Sequence, residues 1–185
     1  MSSTITNSTA NPKSFKQLVL ITVLGCLSMI GFDFLFNAGI LAKLWKESWD
    51  ISAFLPPEKV AQFIPFTYLA FYLDSVLLVW LMRKLEIAQG IPALIFGLKI
   101  GALLSAAGSL GIVSIFPVNY LLVFLGWFIG NTMLICVCCL VIGFGLASKH
   151  LGRLSFIVIG SMLLIFVVII MLQSLGIIPS LNIES

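Results

Sequence analysis

Histidine is nearly missing from these 185 residues, with His150 the only one. A b-type haem held on facing helices needs two histidines and most metalloenzyme sites need several, so that scarcity argues against both. Charge is scarce as well, 9% Asp, Glu, Lys and Arg against 61% hydrophobic residues. Soluble domains carry about 25% charged residues, so this is not a soluble globular chain. The net charge of +3 has no clustered basic patch behind it, which removes a footprint for nucleic acid. A P-loop, a Ser/His/Asp constellation and a paired-histidine metal motif are all missing. These absences predict no enzyme, no catalytic residue, no cofactor and no metal.

Cysteine occurs four times, at Cys26, Cys136, Cys138 and Cys139, always inside an apolar run. No disulfide framework follows from that placement. On one helix Cys138 points away from Cys136 and Cys139, and a closed metal site takes about four ligands, so these are expected to be small packing residues. His150, near Lys149 and Arg153, belongs to a basic loop beside lipid phosphates.

What the chain has in abundance is long apolar runs. Five stretches, 18–42, 62–82, 91–116, 120–147 and 154–178, each suffice for the roughly 30 Å hydrocarbon layer. They lack the alternation of barrel strands, and lipid forces backbone groups to pair within a segment. The expected fold is therefore all-α, a polytopic bundle of five transmembrane helices forming one domain over 17–178. A flexible Ser-, Thr- and Asn-rich tail is expected over 1–16, an outer loop over 43–61 and a short tail over 179–185. Lys13 and Lys16 before an apolar run suggest a signal peptide, but Asp33 interrupts that run and no cleavage site follows, so the first span is expected to stay. Lys13, Lys16, Arg83, Lys84, Lys149 and Arg153 fall on one side and only Lys43, Lys46 and Lys59 on the other. That bias predicts the amino terminus in the cytoplasm and the carboxyl terminus outside.

Pro117 and Asn119 predict a tight turn between the third and fourth spans, which makes those helices antiparallel neighbours. Gly97, Gly101, Ser105 and Gly108 on the third, with Gly126 and Gly130 on the fourth, allow close helix approach, within the chain rather than between copies. The loop over 43–61 holds Trp45 and Trp49, expected as interfacial anchors, and room for a short amphipathic segment. The fifth span, with Ser161, Gln173 and Ser174 but no charge, is expected at the periphery.

The costly residues are Asp33, Asp74 and Lys99. A charge near the bilayer centre costs on the order of 2.5–3.5 kcal/mol on insertion scales, so it has a partner, a water path or a task. Counting about 1.5 Å per residue puts Asp74 and Lys99 both about 12 Å from the cytoplasmic boundary, where they are expected to meet. The pair would fix helix register, or serve as a proton or cation relay; alternatively Lys99 snorkels toward headgroups and leaves Asp74 alone. Asp33, Asn37 and Asn131 form an outer tier about 22–24 Å deep by the same count. Thr22, Cys26 and Met29 continue the face of Asp33, Thr67 shares the side of Asp74, and Ala102, Ala106 and Ser109 follow Lys99.

The segment Gly39–Trp45 reads GILAKLW, and the second span ends in LMRKL at Leu81–Leu85. In this arrangement the chain resembles uncharacterised small multi-pass bacterial membrane proteins of four-helix layout, with a fifth helix added. The resemblance implies a bacterial inner-membrane protein and transfers no activity and no functional residue. The leading functional expectation is a small transport or permeation protein, in which Asp74 and Lys99 gate the inner side and Asp33, Asn37 and Asn131 bind an ion or small polar solute. The other is a non-catalytic membrane subunit or assembly factor, which binds other membrane proteins through its small-residue faces. Expected partners are the lipid bilayer and either a second copy or another membrane protein.

Overall fold

Ser14 opens the first helix. Its hydroxyl accepts from the Gln17 N–H at 3.4 Å, and the Gln17 side chain accepts from the Ser14 N–H at 3.0 Å. This reciprocal cap satisfies two donors that a helix start otherwise leaves orphaned. Helix α1 spans Phe15–Phe34, so residues 15 and 16 of the expected tail are helical, and residues 1–12 lie outside the described residues. The computed structural model describes residues 13–48, 57–113 and 121–179.

From α1 the chain passes into a π-helical segment, Leu35–Ile40, and then into α2, Ala42–Ser48. Helices α3 (Pro57–Lys84), α4 (Gly90–Val113), α5 (Leu121–Ala147) and α6 (Leu151–Ser174) follow. No strand occurs among the described residues, and five stretches are long and apolar enough to cross a membrane: Phe15–Ile40, Gln62–Lys84, Gly90–Gly111, Leu121–Ala147 and Leu151–Ser174. The all-helical, five-span architecture is thus as expected. The loop over 43–61 is not: α2 fills its start, and α3 begins inside it at Pro57. Trp49 and the turn expected at Pro117–Asn119 lie outside the described residues.

Helix α5 is the hub, because small residues let neighbours approach it on several sides. A Cβ on Gly97 would stand 2.9 Å from the Cys136 backbone, one on Gly101 would stand 2.9 Å from the Thr132 carbonyl, and Gly143 lies against Ala93. These matched positions run in opposite directions, so α4 and α5 are the antiparallel neighbours expected. On another side Gly25 of α1 faces Cys138 and Ile142, and Gly145 of α5 faces Ile21. Lipid supplies no hydrophobic drive between helices, so such close packing and its dispersion contacts hold the bundle. Ile21, Met29, Met82, Cys138, Cys139 and Ile142 have no exposed surface. All four cysteines are buried and free, placed as packing residues.

Helix α6 lies at the edge, packed mainly on α1, with Phe166 edge-on to Phe34 at 4.6 Å. Helix α3 is held by α1 and α5 through its inner half. Its outer half stands away, and residues 62–70 are exposed throughout. The splay of α3 leaves an opening between α3 and α4, which sets the shape of the candidate site.

Candidate functional site

The π-helical segment is the first structural specialisation. Leu41 N–H bonds the Phe36 carbonyl at 2.8 Å, five residues back, so one extra residue is accommodated in the turn. Such widened turns free carbonyls and recur at functional sites. Here the Ala38 carbonyl accepts from the Gln173 side chain of α6 at 3.1 Å.

The same segment carries a polar chain. Trp45 Nε1–H donates to Asn37 Oδ1 at 3.0 Å, and Asn37 Nδ2–H donates to Asp33 Oδ1 at 2.7 Å. Trp45 is therefore turned toward α1 and α5, and its ring lies 6.0 Å from that of Trp127. Gly126 makes room for it: a Cβ there would meet Leu41 and Leu44 of the same segment. Asp33, Asn37, Trp127 and Asn131 line a hollow of about 20 Å³. That is room for about one water molecule.

A larger cleft of about 300 Å³ lies between α3, α4 and α5. Asp74, Ser105, Ser109 and Asn131 supply its polar lining, and Phe71 and Leu104 are among its apolar walls. Asn131, exposed on α5, and Trp127 border both hollows. Asp33, Asn37 and Asn131, expected together, do meet at the smaller hollow, and Asn131 also borders the cleft that holds Asp74.

The expected pair of Asp74 with Lys99 is not formed. Asp74 is half-buried at the cleft, Lys99 is exposed, and they make no ion pair among the described residues. The reason lies in the small residues of α4. Ala93, Gly97, Gly101 and Ser105 repeat every four residues and are buried toward α5. At about 100° per residue, Lys99 stands about 160° round the helix from that stripe. Thr67 lies on the same side of α3 as Asp74, two turns further out on the exposed half, where its hydroxyl bonds back to the Phe63 carbonyl at 3.5 Å. Thr22, Cys26 and Met29 do face inward, below Asp33.

Most hydroxyls in the spans satisfy themselves on their own helix. Thr22 bonds the Leu18 carbonyl, Thr132 that of Phe128, and Ser75 that of Phe71, the usual way for a hydroxyl to avoid loss in lipid. Ser105 departs from this. It is 5% exposed, and its Oγ has no hydrogen-bond partner among the described residues. A buried polar group left so costs about 1–3 kcal/mol. The sequence marked Ser105 only as a small residue in a stripe. The signal available was that it is the one hydroxyl in that otherwise Gly and Ala series. Trp45 was missed as a site residue because a π-helical turn leaves no pattern in sequence spacing.

Helix content, span lengths and an interior polar system define a polytopic α-helical membrane protein. No family model matches the chain, and no similar chain is found among curated proteins or solved structures. Function is therefore argued from the site.

Proposed function

We propose that this chain is a small transport or permeation protein for an ion or a small polar solute, in a bacterial inner membrane, with its amino terminus inside and carboxyl terminus outside. One observation carries the reading: Asp74, the unpartnered Ser105 hydroxyl, Ser109 and Asn131 meet on a cleft of about 300 Å³ within the span region. An acid retained at that depth without a counter-charge among the described residues costs on the order of 2.5–3.5 kcal/mol, a cost that a passing cation or a proton relieves. In this reading Asp74 contacts the permeant species and Ser109 replaces part of its hydration. Asn131 joins the cleft to the hollow beside Asp33. The Trp45–Asn37–Asp33 chain, held by α2, covers the outer end. The positive-inside distribution of lysine and arginine supports the orientation.

Reconstituted liposomes test this with tracer flux of protons, sodium, potassium and a small polar solute. Asp74→Asn is expected to reduce the flux of at least one of them tenfold or more while the protein elutes as folded. Flux identical in native and Asp74→Asn protein contradicts the proposal. A second reading, a non-catalytic membrane subunit, is favoured by Gly160 on α6, which faces open space where another helix can approach. Lack of flux for every species, together with a stoichiometric partner retained in mild detergent, selects it.

A further inference from the structure

Asp74 and Lys99 carry opposite charge, and neither finds an ionic partner among the described residues of its own chain. They also lie at one level. Asp74 is ten residues before the end of α3 and Lys99 nine residues after the start of α4, about 15 and 14 Å from the same side of the bundle at 1.5 Å per residue. Lys99 is about two and a half turns inside its helix. Snorkelling serves lysines near helix ends, and this one is deeper.

The outward stripe of α4 consists of Ile95, Lys99 and Leu103, all exposed. Leu104, the residue after Leu103 of this stripe, lines the cleft that also holds Asp74. We propose that two copies of this chain associate through their α3–α4 sides, so that Lys99 of each enters the cleft mouth of the other and meets its Asp74. A two-fold axis along the membrane normal maps every depth onto itself. Equal depth within one chain therefore guarantees equal depth between copies, and one isologous contact forms both ion pairs. The occupant is a second copy because this chain already carries both complementary charges at matching height. Another protein would have to supply both.

The inference goes beyond transport, and it gives the cleft a lateral wall: α4 of the partner covers the side that the single chain leaves open to lipid. Lys99 of the partner subunit then balances Asp74 until a cation or proton displaces it. Two charges that are each costly in hydrocarbon become one pair.

Full-length protein in lipid vesicles tests this without measuring flux. Donor- and acceptor-labelled copies report dimerisation by energy transfer as the protein-to-lipid ratio is varied. Asp74→Lys and Lys99→Asp, each alone, are expected to shift the midpoint toward monomer tenfold or more. The double variant is expected to return it to within threefold of native. A cross-linking arm covers variants that fold poorly: Asp74→Cys and Lys99→Cys chains are mixed and treated with a short bis-methanethiosulfonate linker. Dimers bridged at those positions are expected in the mixture and not in the native chain, whose cysteines are buried. A native chain that stays monomeric at every ratio overturns the proposal. So does a dimer whose midpoint ignores both charge reversals. Either result leaves the transport reading open to its own test.

Discussion

Glu86 holds φ at 56°, the left-handed conformation that side chains with a Cβ adopt at a cost of about 1–2 kcal/mol. It does so because α3 ends in a Schellman turn: Ile87 N–H reaches the Met82 carbonyl at 2.8 Å and Glu86 N–H that of Arg83 at 3.2 Å. Helix α6 closes with the same bonds but places Gly176, φ 70°, at the left-handed position. Glu86→Gly removes the strain and returns only about 0.4–1 kcal/mol of unfolded-chain entropy, so a net gain of roughly 0.5–1 kcal/mol is expected. Thermal unfolding in detergent checks it, with a raised midpoint predicted and a lowered one contradicting the account. Single side chains also mark the limit of what the sequence discloses. The Asp33–Asn37 bond was readable from helical spacing, since residues four apart meet on one face. The position of Asp74 relative to Lys99 was not readable from depth alone. Depth fixes a level along the membrane normal and leaves the direction around each helix open.

That direction is decided by how helices pack. On α4 the spacing of Gly97, Gly101 and Ser105 and the presence of Lys99 made competing demands, since the stripe and the lysine occupy opposite sides and only one can face α5. Close approach to α5 wins. Gly101→Val is expected to open the α4–α5 contact at a cost of about 1–3 kcal/mol, because its new side chain would meet the Thr132 backbone. Gly152→Ala on α6, where a Cβ meets nothing within 4 Å, is expected to be neutral or slightly stabilising. Unfolding midpoints of the two variants compared with native protein decide the matter; equal effects contradict the packing argument. The spans and their number were readable from apolar length, and the antiparallel pairing of α4 with α5 from the short connection at Pro117–Asn119. The π-helical turn and the inward rotation of α2 were not. A single inserted residue shifts every later side chain around the helix axis without altering composition, and so it hid the place of Trp45 beside Asn37.

Across the bundle, α5 carries the junction between the two hollows, and α3 and α4 leave the larger one open at the side. Asn131 thereby borders hollows that polar groups of α1, α3 and α4 also line, while α6 contributes the Gln173 bond to the π-helical turn. If this cleft is a route for polar species, it admits water where the surrounding spans meet lipid. Thiol accessibility in intact vesicles distinguishes those surroundings, because water-soluble methanethiosulfonate reagents need a hydrated, ionisable thiol. Ser109 lines the cleft, whereas Val167 is exposed on the outer face of peripheral α6. Ser109→Cys is predicted to react at a rate well above that of Val167→Cys, with the native chain and its buried cysteines as background. Ser109→Cys that reacts no faster than Val167→Cys would contradict a hydrated polar cleft between α3, α4 and α5.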